Sequence, residues 1–261
     1  MTMTPLSESL SRLNGITLVA SDMDGTMTTN GRFSPDVFHA FEKLEKAGIR
    51  IVLITGRSAG WVNGLVSLLP IHGAIAENGG LYFPAQGESG GTEIVSLRGS
   101  RQEHKQALRA MFHTLQKEFP RLEEAPDNTF RITDWTFSVK GLSENELMRM
   151  NKLCELHSWS FTYSNVQCHI MLPEQNKSAG LKKVLSQEPN LRASLQEVLT
   201  IGDSPNDETL FNTAEFPNSV GVANVKNYAR ILKHLPAFVT THAESAGFCE
   251  MASLLVQSKL R

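Results

Sequence analysis

The sequence predicts an α/β protein: a Rossmann-like parallel sheet core with an inserted α+β cap domain. Three observations lead there. Short apolar runs at residues 16–20, 49–55 and 198–201 alternate with stretches of helical periodicity, and each run ends in a turn rich in glycine and polar residues. From about Pro84 the pattern changes to half-exposed strands and two long amphipathic helices. After Pro173 the first pattern resumes. The simplest organisation is a core of residues 1–84 and 173–261 with a cap at residues 85–172.

A polar N-terminal arm leads to the first buried strand, which stops at SDMDGT. Ser34 is a good N-cap and Pro35 suits the first helical position of the helix that follows. Val37, Phe41 and Leu44 share one face of it, and Gly48 suits its stop. Residues 49–55 form a second strand ending in TGR, residues 61–69 a short helix, and residues 74–76 a third strand ending in ENGG. In the insert, residues 93–97 read as a strand, 102–119 as a helix, and 129–140 as an alternating strand. A helix over 143–157 opens with a capping box, Ser143 and Glu146, and one or two strands fill 159–172. The returning core then reads as helix 177–185, strand 198–201, helix 208–214, strand 219–222, a helix capped by Asn224, strand 237–240 and helix 248–256.

The 261 residues exceed the needs of one compact core and suit two modest domains. The formal charge is −2, with Lys and Arg scattered, so no basic stripe announces nucleic acid. No apolar stretch nears the roughly 20 residues that cross a bilayer. The N-terminus lacks the basic start and apolar run of a signal peptide. Cys154, Cys168 and Cys249 fit neither a zinc site nor a closed disulfide set and read as free thiols. A cytoplasmic protein is the expectation, with neither nucleic acid nor membrane as partner; oligomeric state is unreadable.

The chemistry gathers at strand ends. Asp22 and Asp24, in DMDGT, follow the first strand; alone they would pass for turn residues. Asp203 and Asp207, in GDSPND, follow another buried strand, and Thr55, in ITGR, a third. Lys177 opens the helix just after the second crossing from the cap. In a parallel sheet such ends share one edge, where open α/β sheets bind ligands. Bare carboxylates would repel one another, and magnesium is the natural neutraliser because it prefers oxygen ligands. A metal site, a free carboxylate and a cation are the parts that phosphoryl transfer requires.

In that order, DMDGT, ITGR, NKSAGL and GDSPND resemble the four signatures of the haloacid dehalogenase superfamily of phosphatases. The insert between the second and third resembles the subgroup of Cof-type sugar phosphatases, sucrose-phosphate phosphatase and mannosyl-3-phosphoglycerate phosphatase. The resemblance covers most of the core; the cap shares it only as a pattern of elements. It implies Asp22 as the nucleophile and Asp24 as the acid that protonates the leaving oxygen and then activates water. It implies Mg2+ held by Asp22, the Asp24 carbonyl and Asp203, with Asp207 a ligand or a neighbour of one. Thr55 and the amides of residues 23–25 would hold phosphoryl oxygens, and Lys177 would balance their charge. The substrate would be a small phosphate monoester, a phosphosugar or related metabolite. A phosphomutase and a non-catalytic relative that binds phospho-ligands are the alternatives.

Asn206 is a candidate for Lys177, for phosphate or for the turn alone. Asn78 reads as a turn residue and Arg57 as a solvated arginine. On the last cap strand, Gln167, His169 and Met171 share the side expected to face the site, while Cys168, Ile170 and Leu172 face the cap helices. His169 is a candidate substrate contact, and Arg131 and Lys140 are candidates for a second anionic group.

Overall fold

The computed structural model describes residues 3–85 and 91–259. The first edge strand is β1 (Thr4–Pro5), followed by the short helix α1 (Leu10–Leu13). The core continues through β2 (Leu18–Ser21), α2 (Pro35–Lys46), β3 (Arg50–Ile54), α3 (Ala59–Val66), β4 (Gly73–Ala76), β5 (Leu81–Pro84) and β6 (Thr92–Glu93). The insert then adds α4 (Arg101–Glu118), β7 (Asp134–Ser138), α5 (Glu144–Leu156), β8 (Ser160–Tyr163) and β9 (Gln167–Met171). The core resumes with α6 (Lys177–Gln187), β10 (Val198–Gly202), β11 (Asn218–Gly221), β12 (Phe238–Val239) and α7 (Glu244–Lys259).

Among the described residues, nine strands form one sheet in the order β1-β12-β11-β10-β2-β3-β4-β5-β6. All neighbours from β1 to β4 are parallel, and β5 and β6 turn back antiparallel at the far edge. β2 is flanked by β10 and β3, with Ser21 opposite both Ile201 and Leu53. Its strand is buried on every residue, as a central parallel strand must be. One face of the sheet packs Val19, Ile51, Leu53 and Ile201 against Phe41, Phe248 and Met251 of α2 and α7. The other packs Leu18, Val52, Ile54 and Ile75 against Leu181 and Val184 of α6.

In the second sheet, β9 lies between β7 and β8 with antiparallel pairing throughout. Period-2 alternation divides β9 as expected. Cys168 and Ile170 join Leu108, Phe112 and Leu115 of α4 and Met150 of α5 in a separate apolar cluster. Thr136 and His169, paired across β7 and β9, take the opposite face. Both long helices start with capping boxes, Ser100 with Glu103 and Ser143 with Glu146.

Several elements differ from their expected form. The strand expected at 93–97 is only β6, and it pairs with β5 at the edge of the large sheet instead of entering the cap layer. The N-terminal arm contributes β1, and Leu6 and Leu13 anchor it in the core. Within 129–140, Pro126–Phe130 is a 3-10 turn and β7 covers only Asp134–Ser138. The helix expected at 208–214 is a 3-10 segment at Pro205–Phe211, displaced forward because Ser204 and Asp207 cap it. Ser34 sits at the N-cap of α2 but makes no side-chain capping bond.

Candidate active site

The carboxyl ends of β2, β3, β4 and β10 lie side by side, and each hands over directly to a functional segment. Asp22 is the first residue beyond β2, Thr55 the first beyond β3, Glu77 the first beyond β4 and Asp203 the first beyond β10. Lys177 is the first residue of α6, with Asn176 capping that helix through Ala179 N. These five chain segments converge although 185 positions of sequence separate Asp22 from Asp207.

Lys177 is fully buried, and its Nζ donates to Asp22 Oδ1 at 2.6 Å and to Asp207 Oδ1 at 2.6 Å. Asp207 Oδ2 accepts from the amides of Asp203 and Ser204, at 2.9 and 3.1 Å. The fifth residue of the loop thereby folds it back onto its own start. A Cβ on Gly202 would lie 2.4 Å from the Asp207 carboxyl carbon, so only glycine permits this approach. Asp203 accepts from Asn224 Nδ2 at 2.8 Å and from the Thr26 hydroxyl at 3.4 Å.

Oxygens of Asp22, Asp203 and Asp207 all lie within 4.8 Å of one another. Burial lifts the Asp22 carboxyl to about 7, with Lys177 pulling it down and Asp207 pushing it up. Asp203 is raised well above the carboxylate range by burial and by Asp22 and Asp207. Burial opposes the Lys177 charge, but Asp207 and Asp22 more than offset that and hold it above the ordinary lysine value. Three buried carboxylates thus face one ammonium. The excess negative charge and the all-oxygen donor set fit a hard divalent cation. Asp207 has Lys177 on one oxygen and two amides on the other, which leaves Asp22 and Asp203 as the more open carboxylate donors.

The first correction concerns Arg57, the partner of Asp24. The two oxygens of Asp24 are gripped by Arg57, Nε to Oδ2 at 2.9 Å and Nη2 to Oδ1 at 2.6 Å. Arg57, expected in solvent, is drawn inward by this two-pronged pair and lies over the Trp61 ring at 5.1 Å. Its position three residues beyond the end of β3, on the edge that carries Thr55, was the available signal. Thr55 is buried, and its Oγ1 accepts from Arg57 N at 3.1 Å.

Asn206 does not bond Lys177. Its Nδ2 donates to Asn78 Oδ1 at 3.0 Å and its Oδ1 accepts from the Ser204 hydroxyl at 2.8 Å. Asn78 has the turn geometry expected, φ 52°, and this contact besides.

The polar face of the cap sheet closes over these residues. His169 Nδ1 lies 2.8 Å from Asp134 Oδ2. Arg131 is a second correction: it is fully buried and committed. Its guanidinium donates to Asp134, Asp127, Gln167 and the Gly56 carbonyl, so it braces the site and is not free for a substrate anion. Lys140 is a third. It is exposed beyond the end of β7 and absent from the cavity wall, because β7 ends at Ser138 and the chain turns outward.

Glu77 went unnoticed in the sequence, although it too follows a parallel strand. This buried carboxylate accepts from the amides of Ala59 in the core and of Ile132 and Thr133 in the insert, and from the Thr133 hydroxyl. Gln175, on the returning chain, donates to the Glu77 carbonyl and to Thr133 Oγ1. Both crossings between core and insert are thereby tied to one turn.

The enclosed cavity is lined by Asp22, Asp24, Gly56, Arg57, His169 and Asn206, with Ser164, Val166 and Gln167 of the β8–β9 hairpin as its roof. Its volume is about 10 Å3, space for roughly one water. The cap is therefore shut in this state. A larger open groove of about 520 Å3 lies elsewhere, along Asn63, Phe83, Arg101 and Phe130, and contains none of the strand-end carboxylates. Among the described residues no helix is long and apolar enough to cross a membrane.

Comparison with known proteins agrees with this geometry. A family model described as haloacid dehalogenase-like hydrolase matches residues 19–89 and 88–251. Phosphoglycolate phosphatase 1 of Saccharolobus solfataricus is 29% identical over 248 residues, covering 94% of this chain and 97% of its own. The phosphoglycolate phosphatase of Metallosphaera sedula is 28% identical, with coverage of 92% and 99%. Among solved structures, a Thermoplasma acidophilum protein matches with a TM-score of 0.71 at 22% identity, covering 94% of this chain and 99% of that one. The sucrose-phosphatase of Synechocystis, solved with sucrose and phosphate, matches with a TM-score of 0.67 at 16% identity, covering 91% and 97%. The chain belongs to the haloacid dehalogenase-like hydrolase family and is a phosphoric monoester hydrolase.

Proposed function

We propose that this phosphatase is magnesium-dependent and hydrolyses a small phosphorylated metabolite through an aspartyl-phosphate on Asp22. The observation that carries the reading is the Lys177 bridge. It fixes Asp22 Oδ1 and leaves Oδ2, which has no hydrogen-bond partner among the described residues, to attack phosphorus. The Lys177 charge then lies beside the phosphoryl oxygens, where negative charge must be stabilised in transfer. Asp24, steadied by Arg57, protonates the departing alkoxide and afterwards takes a proton from the water that cleaves the aspartyl-phosphate. Thr55 and the amides after Asp22 hold the phosphoryl oxygens.

Asp22 and Asp203, with the Asp24 carbonyl, would hold Mg2+, and Asp207 would hold Lys177. Bound magnesium supplies charge neutralisation at the phosphoryl oxygens. The relatives named phosphoglycolate phosphatase and the sucrose-phosphatase likeness support a small organic phosphate as substrate. The closed cavity supports a cap that opens to admit it.

The test is release of inorganic phosphate from p-nitrophenyl phosphate with magnesium and with chelator, followed by a panel of phosphorylated metabolites. Magnesium-dependent release is the expected result. Transfer from a hexose 1-phosphate to another hydroxyl of the sugar, without free phosphate, would identify a mutase instead.

A further inference from the structure

Asn224, which the sequence suggests as the cap of the next helix, does not cap it. Ala223–Tyr228 is a 3-10 segment with no side-chain cap at its start, and the Asn224 amide turns instead to three other parts of the core. Its Oδ1 accepts from Glu244 N, at the first residue of α7, at 3.0 Å. A backbone amide only donates, so this bond fixes which end of the side chain is oxygen. Its Nδ2 donates to Asp203 Oδ2 at 2.8 Å and to the Gly25 carbonyl at 3.1 Å.

Two amide hydrogens thus serve two loops. Asp203 opens the loop after β10, and Gly25 directly follows Asp24 in the loop after β2. The hydrogens of a planar amide have a fixed spread, so Asn224 sets the separation of the loops as well as the rotation of the Asp203 carboxylate. The loops are also close: a Cβ on Gly25 would lie 2.7 Å from Asp203 Oδ2. Asn224 has little competition for Asp203. The other side-chain donor among the described residues, the Thr26 hydroxyl, stands at 3.4 Å, and the Lys177 ammonium bonds Asp22 and Asp207 instead. The neutrality of the amide matters as well. A lysine or arginine would orient Asp203 but would also neutralise it and repel a cation, whereas an amide leaves the carboxylate its charge.

Resting on the magnesium-dependent reading, we propose that Asn224 is a positioning residue for the metal: it holds Asp203 and the loop bearing the Asp24 carbonyl at the spacing one Mg2+ requires, without contacting the ion. Its nitrogen donates to both loops and its oxygen is turned to α7, so Asn224 acts only through the donors it holds. Magnesium demands near-ideal octahedral geometry, which makes its affinity sensitive to that spacing. The first turn of α7, some twenty positions further along the chain, thereby steadies the amide that steadies the site.

The experiment titrates magnesium chloride into the unmodified protein and into Asn224→Leu by isothermal calorimetry, with circular dichroism to confirm the fold. Loss of a hydrogen-bond partner behind a metal ligand weakens binding by about tenfold to a hundredfold, and a rise in Kd of that size is the expected result. The magnesium concentration giving half-maximal release of phosphate from p-nitrophenyl phosphate should rise in parallel, while most of kcat returns at saturating magnesium. Asn224→Ser suits a half-buried position but is too short to span both loops. It should also raise Kd, and it covers the case in which Asn224→Leu fails to fold. An unchanged Kd in the folded variants, whatever their stability without magnesium, overturns the proposal and leaves Asn224 as a support for α7, with the magnesium reading intact. A raised Kd with kcat still low at saturating magnesium overturns it too, because general damage to the site would then be the cause. Absence of magnesium binding by the unmodified protein overturns the proposal and the magnesium reading together.

Discussion

Lys177 touches only one oxygen of Asp22, Oδ1 at 2.6 Å, and so holds the carboxylate still without covering its second oxygen. The same ammonium ties Asp207 at 2.6 Å, joining the loops after β2 and β10 through a group from α6. This arrangement makes Lys177 structural as well as chemical. Removing one partner of a buried ion pair typically costs about 3–5 kcal/mol, because the remaining charges lose their counterion. Lys177→Met should therefore lower the unfolding free energy by that order in urea melts without magnesium, besides abolishing turnover. A variant as stable as the parent would show that the bridge is not present in solution.

Arg57 holds Asp24 with two parallel bonds, a geometry lysine cannot reproduce. Displacing an acid–base group by about 1 Å costs on the order of a hundredfold in rate. Arg57→Lys and Arg57→Gln should both lower kcat by roughly tenfold to a hundredfold. Full activity in Arg57→Lys would mean that charge alone, and not orientation, is what Asp24 needs.

Glu77 should make stability pH-dependent. Burial, reinforced by Asp134, raises its carboxyl from 4.5 to about 7, against Arg131 and the amides of Thr133 and Ala59. The folded chain binds this proton more tightly than the unfolded chain. The contribution is therefore fully present below pH about 4.5 and is lost as pH rises through about 7. Glu77→Gln removes the titration, so the fall in Tm between about pH 5 and pH 8 should be smaller in the variant. An unchanged fall would assign the pH dependence to other groups. Glu77→Ala, which strands the amides of Ala59, Ile132 and Thr133, should cost about 3 kcal/mol or more.

Magnesium should stabilise the fold through Asp22 and Asp203. At a hundred times its Kd, a ligand specific to the native state adds about 2.7 kcal/mol, a rise in Tm of several degrees for a chain of this size. Asp203→Asn should abolish most of that rise, and calcium or magnesium titrations followed by scanning calorimetry would measure it. An equal magnesium shift in Asp203→Asn would move the cation elsewhere.

The order of core elements was legible because parallel strands are buried on both faces and stand out as apolar runs. Asp22, Asp203 and Lys177 were legible because each adjoins such an element and because the sheet edge is common to all. What the sequence concealed was pairing. Arg57 looked solvated because its partner Asp24 lies thirty-three positions earlier. Arg131 looked free because Asp127 and Asp134 give no hint that they surround it. Glu77 sits in a turn whose residues suit a hairpin on local grounds, and its partners Ile132 and Thr133 come from the insert. Short elements such as β1 and β6 exist only because a neighbouring strand edge completes them, so no periodicity could reveal them.

The central claim is that Asp22 itself becomes phosphorylated, and it is best tested where the intermediate should accumulate. Asp24→Asn removes the group that activates water, whereas p-nitrophenolate leaves without needing an acid. Mixing that variant with p-nitrophenyl phosphate and magnesium, quenching in acid and mapping peptides by mass spectrometry measures the outcome directly. The expected result is a burst of p-nitrophenolate matched by one phosphoryl group on the peptide containing Asp22, lost on treatment with hydroxylamine. Hydrolysis without any phosphorylated peptide, or phosphate on a residue other than Asp22, would contradict the account.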